Sequence, residues 1–182
     1  MSRQNKLFGK TGVIDKGFLI DRIILNIAKQ RKQIIYGARS IQKQANLFSR
    51  DTKDYDIFDK NPKRSAQILQ RKLDKNVGFD FYYMKEAEHK GTWKVKNKGA
   101  DGIQNTKDDE SIADYTKPDK KIKFVMINGI RYRVLKEELK RKVATVKDPE
   151  FKFRHEKDKD DIRRIKGFIK VRSLLNGGNG YT

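Results

Sequence analysis

"YGARSIQKQANLFSRDTKDYDIF", residues 36–58, decides how this chain is read. Near its end, Asp54 and Asp56 flank Tyr55. The run "DYDIF" (54–58) has strand composition, and residues i and i+2 of a strand face the same way. The two acids therefore point together, while Tyr55 and Ile57 point to the opposite face. Carboxylates this close repel unless a cation sits between them or water screens them. Hard oxygen donors suit Mg²⁺, which takes one or two carboxylates plus substrate phosphates. Two solvated acids on a sheet surface are the plainer alternative, because D-x-D is common in strands. At the start of the stretch, Gly37 closes the apolar run "IIY" just before a helical pattern, "ARSIQKQANLF". A glycine there lets backbone approach a ligand closely, and a helix N-terminus offers N–H groups to phosphate. Arg39 adds a charged fork and Ser40 a hydroxyl. The separation from Gly37 to Asp54 accommodates one helix and a returning strand, which would bring turn and acids to the same sheet edge.

Further along, "SIADYT" (111–116) places Asp114 inside an otherwise apolar strand. A lone strand aspartate is usually solvent-facing. A third acid on the same sheet is what a two-metal phosphoryl-transfer site requires, with ions roughly 3.5–4 Å apart.

The remaining elements follow from periodicity. "FLIDRIILNIAKQRKQ" (18–33) has the apolar spacing of an amphipathic helix, and "NPKRSAQILQRKLDKN" (61–76) opens with an Asn cap and Pro at the first helical position. "FDFYYMKEAEHKGTWKVKN" (79–97) predicts two strands hinged near Lys90-Gly91, and "KFVMINGIRYRVL" (123–135) a hairpin turning at Asn128-Gly129. Helices are expected over 136–146 and 157–175. The fold class is α+β: a mixed, largely antiparallel sheet flanked by helices, with a C-terminal helical segment. The expected organisation is a flexible arm over 1–17, a core over 18–147, and a basic helix with a Gly-rich tail over 148–182.

Lys+Arg outnumber Asp+Glu by 44 to 24, a net charge of +20, so nucleic acid, nucleotides or another polyanion are the expected partners. There is no cysteine, which excludes disulfides and thiolate metal sites. No apolar run approaches membrane-spanning length and no signal peptide is visible, so a cytoplasmic protein without a membrane partner is expected.

At this point the chain resembles the nucleotidyltransferase superfamily, on "YGARS…SRDTKDYDIF" with its Arg50-Asp51-Thr52 lead-in, on "INGIRYRVLKEELKRKVATV", and on "FRHEKDKDDI". Lys142, Arg154, Lys157, Asp158 and Asp161 match a helix lysine followed by an Arg…Lys-Asp…Asp segment. Small viral and phage poly(A)-polymerase-like and AbiEii-like members are the nearest variants. The resemblance implies two Mg²⁺ (or Mn²⁺) ions held by Asp54, Asp56 and Asp114. It further implies an NTP tail along Gly37, Ala38, Arg39 and Ser40 with Lys142 in support, and transfer of an NMP to a hydroxyl, as on a nucleic-acid end. Ala38 departs from the glycine or serine usual after the turn. An inactive relative, serving as a structural or nucleic-acid-binding part of a larger assembly such as a phage particle, is the alternative; a toxin-type transferase modifying a protein or tRNA is a third. A viral origin would place the protein in host cytoplasm or virion.

Three other features are expected to be structural. His89 and His155 lack metal-ligand spacing. The loop "GADGIQNTKDDE" (99–110) offers Asp101, Asn105 and Asp108 but not the order of an EF-hand, and reads as a solvated hairpin loop. Phe79, Phe81, Tyr82, Tyr83 and Trp93 read as core more than as base-stacking platforms, with only one alternating set of the strand aromatics buried. In the C-terminal helix, Ile162, Ile165, Phe168 and Ile169 form a stripe able to pack on the sheet, beside Arg163, Arg164, Lys166, Lys170 and Arg172.

Overall fold

A computed structural model describes residues 16–175 apart from 49 and 51. The glycine-rich tail and nearly all of the expected N-terminal arm lie outside the described residues. The elements run α1 (Lys16–Gln30), β1 (Ile34–Tyr36), α2 (Gly37–Gln44), β2 (Tyr55–Phe58), α3 (Pro62–Val77), β3 (Tyr82–Glu86), β4 (Thr92–Asn97), β5 (Ser111–Thr116), β6 (Phe124–Ile127), β7 (Ile130–Arg133), α4 (Leu135–Lys147) and α5 (His155–Leu175). Short 3-10 turns occupy Asn46–Phe48 and Pro149–Arg154. The seven strands form one sheet in the order β3-β4-β5-β2-β1-β7-β6. Pairings β1–β7 and β2–β5 are parallel and the rest antiparallel, the expected mixed α+β architecture.

Local chemistry explains the boundaries. Asn61 caps α3 through its side chain, which accepts from the Arg64 N–H at 3.3 Å, and Pro62 follows. Gly78 ends the helix in the left-handed region, and Ala66, Leu69 and Leu73 bury its inner face. Asn128 and Gly129 both take positive φ, as a two-residue hairpin turn of this hand demands.

One sheet face is apolar with period two. Ile35, Tyr55, Ile57, Val95, Ala113, Tyr115 and Tyr132 pack with Ile24, Ile27 and Ala28 of α1 and the buried face of α3. Burying each large aliphatic side chain contributes about 1.5–3 kcal/mol. Both Tyr82 and Tyr83 are buried, against the expected alternation. Tyr82 joins the core, whereas Tyr83 is covered from the other side by the β4–β5 loop, its hydroxyl bonded to Asp109.

The stripe of α5 does not pack on the sheet as expected. Ile165 joins Ile41, Ala45 and Leu135 in a second small core, with Phe168 edge-on to Phe48, so α5 sits on α2 and α4. Beneath it lies an ionic cluster. Lys142, 1% exposed, contacts Asp158 at 2.8 Å and Asp161 at 2.6 Å, Arg154 reaches Asp158 at 3.0 Å, and Arg50 reaches Asp161 at 3.1 Å. Burial opposes ionisation of Asp158, but Lys142 and Arg154 outweigh it and hold the carboxyl below its usual range. The stability tied to that lowered value is present above the ordinary carboxylate range and is lost as pH falls through the folded pKa. Removing one partner strands buried charge, so Lys142→Ala should lose about 3–5 kcal/mol in urea unfolding. A loss under 1 kcal/mol would contradict a buried, water-free cluster.

Candidate active site

The second face of the sheet carries the acids. Register aligns Lys94 on β4 with Asp114 on β5, Asp114 with Asp56 on β2, and Asp56 with Tyr36 on β1. The next register row runs Thr92, Thr116, Phe58 and Ile34. Registered neighbours project from the same face, so Asp56 and Asp114 stand side by side. Asp54 lies just before β2, which begins at Tyr55, and Tyr55 and Ile57 point into the core.

The turn at Gly37 explains why this position is glycine. Its φ is +68°, and a Cβ would overlap the Asp56 carboxylate. The Gly37 N–H donates to Glu138 Oε1 at 3.0 Å. Glu138 is fully buried and accepts from Arg141 through Nε at 3.2 Å and Nη2 at 3.0 Å. The Arg141 guanidinium also sits over the Tyr36 ring. Thus α4 is fastened to the turn beside the acids.

Electrostatics mark Asp56. Burial first, then the Asp54 charge, raise its pKa to about 6; Arg141 opposes the rise, while Asp114 and Glu138 add to it. Tyr36 is pushed up by burial and by Asp56, and its hydroxyl contacts the Thr116 hydroxyl oxygen at 3.2 Å. The outer acids are held by neighbours: Thr52 Oγ1 donates to Asp54 at 2.9 Å, Ser111 Oγ donates to Asp114 at 3.1 Å, and Lys94 Nζ contacts Asp114 at 2.9 Å.

The donor set nevertheless fits a divalent cation. It is all oxygen and sets Asp56 beside Asp114 on one face, where the Lys94 ammonium on Asp114 would have to yield to an ion. Among the described residues, the acids whose oxygens all approach within 4.8 Å are others: Asp101, Asp108 and Asp109 of the β4–β5 loop. That trio could accept a cation. Its carboxylates are already bonded to loop N–H groups of Ala100, Ile103 and Asn105 and to the Thr106 hydroxyl, so the loop is internally braced as well as solvated.

The other expected phosphate-side residues divide. Gly37 lies against Asp56 and Ala38 is buried. Arg39 turns toward α1, contacting Asp21 at 3.4 Å and stacking on Tyr55, with its N–H groups on the Lys53 and Asp54 carbonyls. Ser40 is fully buried and donates to the Arg133 carbonyl at 2.8 Å. Lys142 is locked in its ionic cluster. Ser40 and Lys142 therefore act on the framework in this conformation, and do not face the acids. Sequence reading missed Glu138, Arg141 and Lys94. Glu138 was accessible, since it lies one helical turn before Lys142 on the same face.

No family model and no curated protein matches the chain. Among solved structures, the Megavirus polyadenylate synthase superposes with a TM-score of 0.65 at 20% identity, over 82% of this chain and 31% of that one. The chain has a nucleotidyltransferase-like fold. JHP933 from Helicobacter pylori matches over 83% of this chain and 66% of its own, at 10% identity and a TM-score of 0.49, too low to carry weight. The chain spans about a third of the polyadenylate synthase's length.

In this nucleotidyltransferase-like fold Asp56 is a strained group, which gives two expected outcomes. A raised acid pKa costs stability that accrues as pH rises from the unfolded-state value and is complete above the folded one. Asp56→Asn should therefore raise the melting temperature of metal-free protein at pH 7.5, by the equivalent of about 1–3 kcal/mol. The gain should shrink as pH falls through 6 toward 4, where wild-type Asp56 is protonated in the folded state. Equal gains at pH 4.5 and 7.5 would refute the assignment. Gly37→Ala should do the reverse, losing at least about 1–2 kcal/mol in chemical unfolding through positive φ and overlap with Asp56; unchanged stability would show that the turn relaxes freely.

Proposed function

We propose that the protein is a metal-dependent nucleotidyltransferase that moves an NMP from an NTP to a hydroxyl, as on a nucleic-acid end. The observation carrying this reading is the register of Asp114 with Asp56, beside a glycine turn that only glycine can make. Asp54, Asp56 and Asp114 would hold two Mg²⁺ or Mn²⁺ ions. When bound, such ions supply Lewis-acid stabilisation of the attacking and leaving oxygens.

The chain's own groups then have distinct tasks. Asp56 must be unprotonated to serve, so below about pH 6 a proton competes with the cation for its carboxylate. The N-terminus of α2 lies against Asp56, and its dipole favours a phosphate tail there. Glu138 occupies the Gly37 N–H and keeps α4 in place. Arg141 partly offsets the acids' charge. Asp114 is held in place by Ser111 and Lys94.

An inactive module in a larger assembly is the second reading. The observation favouring it is that Lys94 and Arg141 already offset the acids without an ion. The discriminating assay incubates purified protein with Mn²⁺ or Mg²⁺, each labelled NTP and an oligonucleotide with a free 3′-hydroxyl. Product should lengthen by added nucleotides, and Asp54→Ala or Asp114→Ala should cut the rate by at least about 10³-fold. If wild type yields no product with any NTP, and Asp54→Ala leaves Mn²⁺ binding by calorimetry unchanged, the inactive reading takes its place.

A further inference from the structure

An aromatic cluster joins the β3–β4 turn to the Pro149–Arg154 turn, and among the described residues its outer ring is left open to solvent. His89, in the β3–β4 turn, lies 6.1 Å from the Phe151 ring, and Phe151 lies 6.5 Å from Phe153, centroid to centroid. Phe151 is half-buried, while Phe153 is 83% exposed, the largest exposure among the exposed large hydrophobic side chains of the described residues. Exposed Lys90 in the β3–β4 turn, Lys152 between the two phenylalanines and Lys157 after them share these segments with exposed Glu88, Glu150 and Glu156.

The cluster is rigidly presented. Asp148 caps the Pro149–Arg154 turn by accepting from the Glu150 N–H at 3.0 Å. His155 bonds the Asp148 carbonyl at 2.9 Å, and Arg154 is tied to Asp158 at 3.0 Å. Phe153 thus projects from a fixed turn, so stacking a ring on it costs little ordering.

Its place connects it to the acids. The His89 carbonyl accepts from the Thr92 N–H at 3.1 Å, and the Gly91 carbonyl from the Lys117 N–H at 3.4 Å. Thr92 pairs with Thr116, two residues beyond Asp114 on β5, a separation of roughly 7 Å along the strand. The cluster therefore begins in the turn beyond the Thr92–Thr116 row, and Phe151 and Phe153 extend it further from the acids.

We infer that His89, Phe151 and Phe153, with Lys90 and Lys152, form a stacking platform for single-stranded nucleic acid. Aromatic faces accept any base, and neighbouring lysines meet the phosphates. The +20 net charge favours a polyanion over an acidic-poor protein surface. That the strand's 3′ end runs toward Asp114 rests on the proposed transfer reaction; binding of the strand to the platform does not.

The test measures anisotropy of labelled 12-nucleotide oligouridylate and oligoadenylate, and of a duplex of equal length, at about 0.15 M salt. Full-length wild type is compared with Phe153→Ala and Lys152→Ala, and with Phe79→Ala, an exposed aromatic elsewhere, as control. Phe153→Ala should weaken single-strand binding about 5- to 100-fold with duplex binding little changed, and Phe79→Ala should leave both alone. Asp54→Asn should retain Phe153-dependent binding. Binding of single strand and duplex alike that ignores Phe153 overturns the platform, as does self-association of the protein that Phe153→Ala abolishes without affecting oligonucleotide binding. Phe153-dependent binding without nucleotide transfer would instead refute the enzymatic reading and leave the platform standing.

Discussion

The buried contact of Lys142 with Asp158 and Asp161 is the constraint on which the site depends. It ties α4 to α5, and through Arg50 on Asp161 it also ties both helices to the segment entering β2. Arg50 stands two residues before Thr52, whose hydroxyl holds Asp54. On the other side, α4 carries Glu138 and Arg141 to the Gly37 turn. The cluster thus anchors both flanks of the acid row. An ammonium taken out of water needs such partners, because desolvation costs several kcal/mol that only close opposite charge and hydrogen bonds offset. Its rigid geometry follows from that need.

The acid row itself is arranged against stability. Asp56 lies beside Asp54 and Asp114, with Glu138 near, and its ionisation is disfavoured by burial and by their charge. Arg141 and Lys94 offset the repulsion from either side. A sheet seeking only stability would place threonine or valine at these positions, as it does one row further on with Thr92 and Thr116. Repulsive carboxylates kept in register beside a constrained glycine are what a site for cations and phosphates requires.

Most of this framework was legible in the sequence. Strand and helix positions follow period two and period 3.6, and Asn61-Pro62, Gly78 and Asn128-Gly129 mark boundaries by backbone chemistry alone. The direction of Asp56 away from the core follows from alternation with Tyr55 and Ile57. What stayed hidden depends on long-range contact. Ser40 and Lys142 belong to residue types that bind phosphate, but α2 and α4 turn them inward, onto the Arg133 carbonyl and the Asp158–Asp161 pair. Alternation failed at Tyr83 because a loop far along the chain covers the face that local pattern assigns to solvent. The stripe of α5 has the right spacing, but spacing does not say which surface receives it.

The same contacts change how the +20 charge should be understood. Glu138, Asp158, Asp161 and Asp59 all lie inside, each near a basic side chain. Lys142 is buried with them, but several partners, such as Arg31, Arg50 and Arg154, keep part of their guanidinium in solvent. The pairing leaves the net charge at +20, so the field outside remains positive. In that field the exposed part of the acid row is a small negative pocket in a positive surround. A polyphosphate approaching the molecule is attracted from a distance by the whole, within a Debye length of about 8 Å at physiological salt. Close to Asp56 it meets the charge of the acids, only partly offset by Arg141 and Lys94. Under the proposed transferase reading, long-range attraction and this short-range repulsion together would make anion capture conditional on a bound cation.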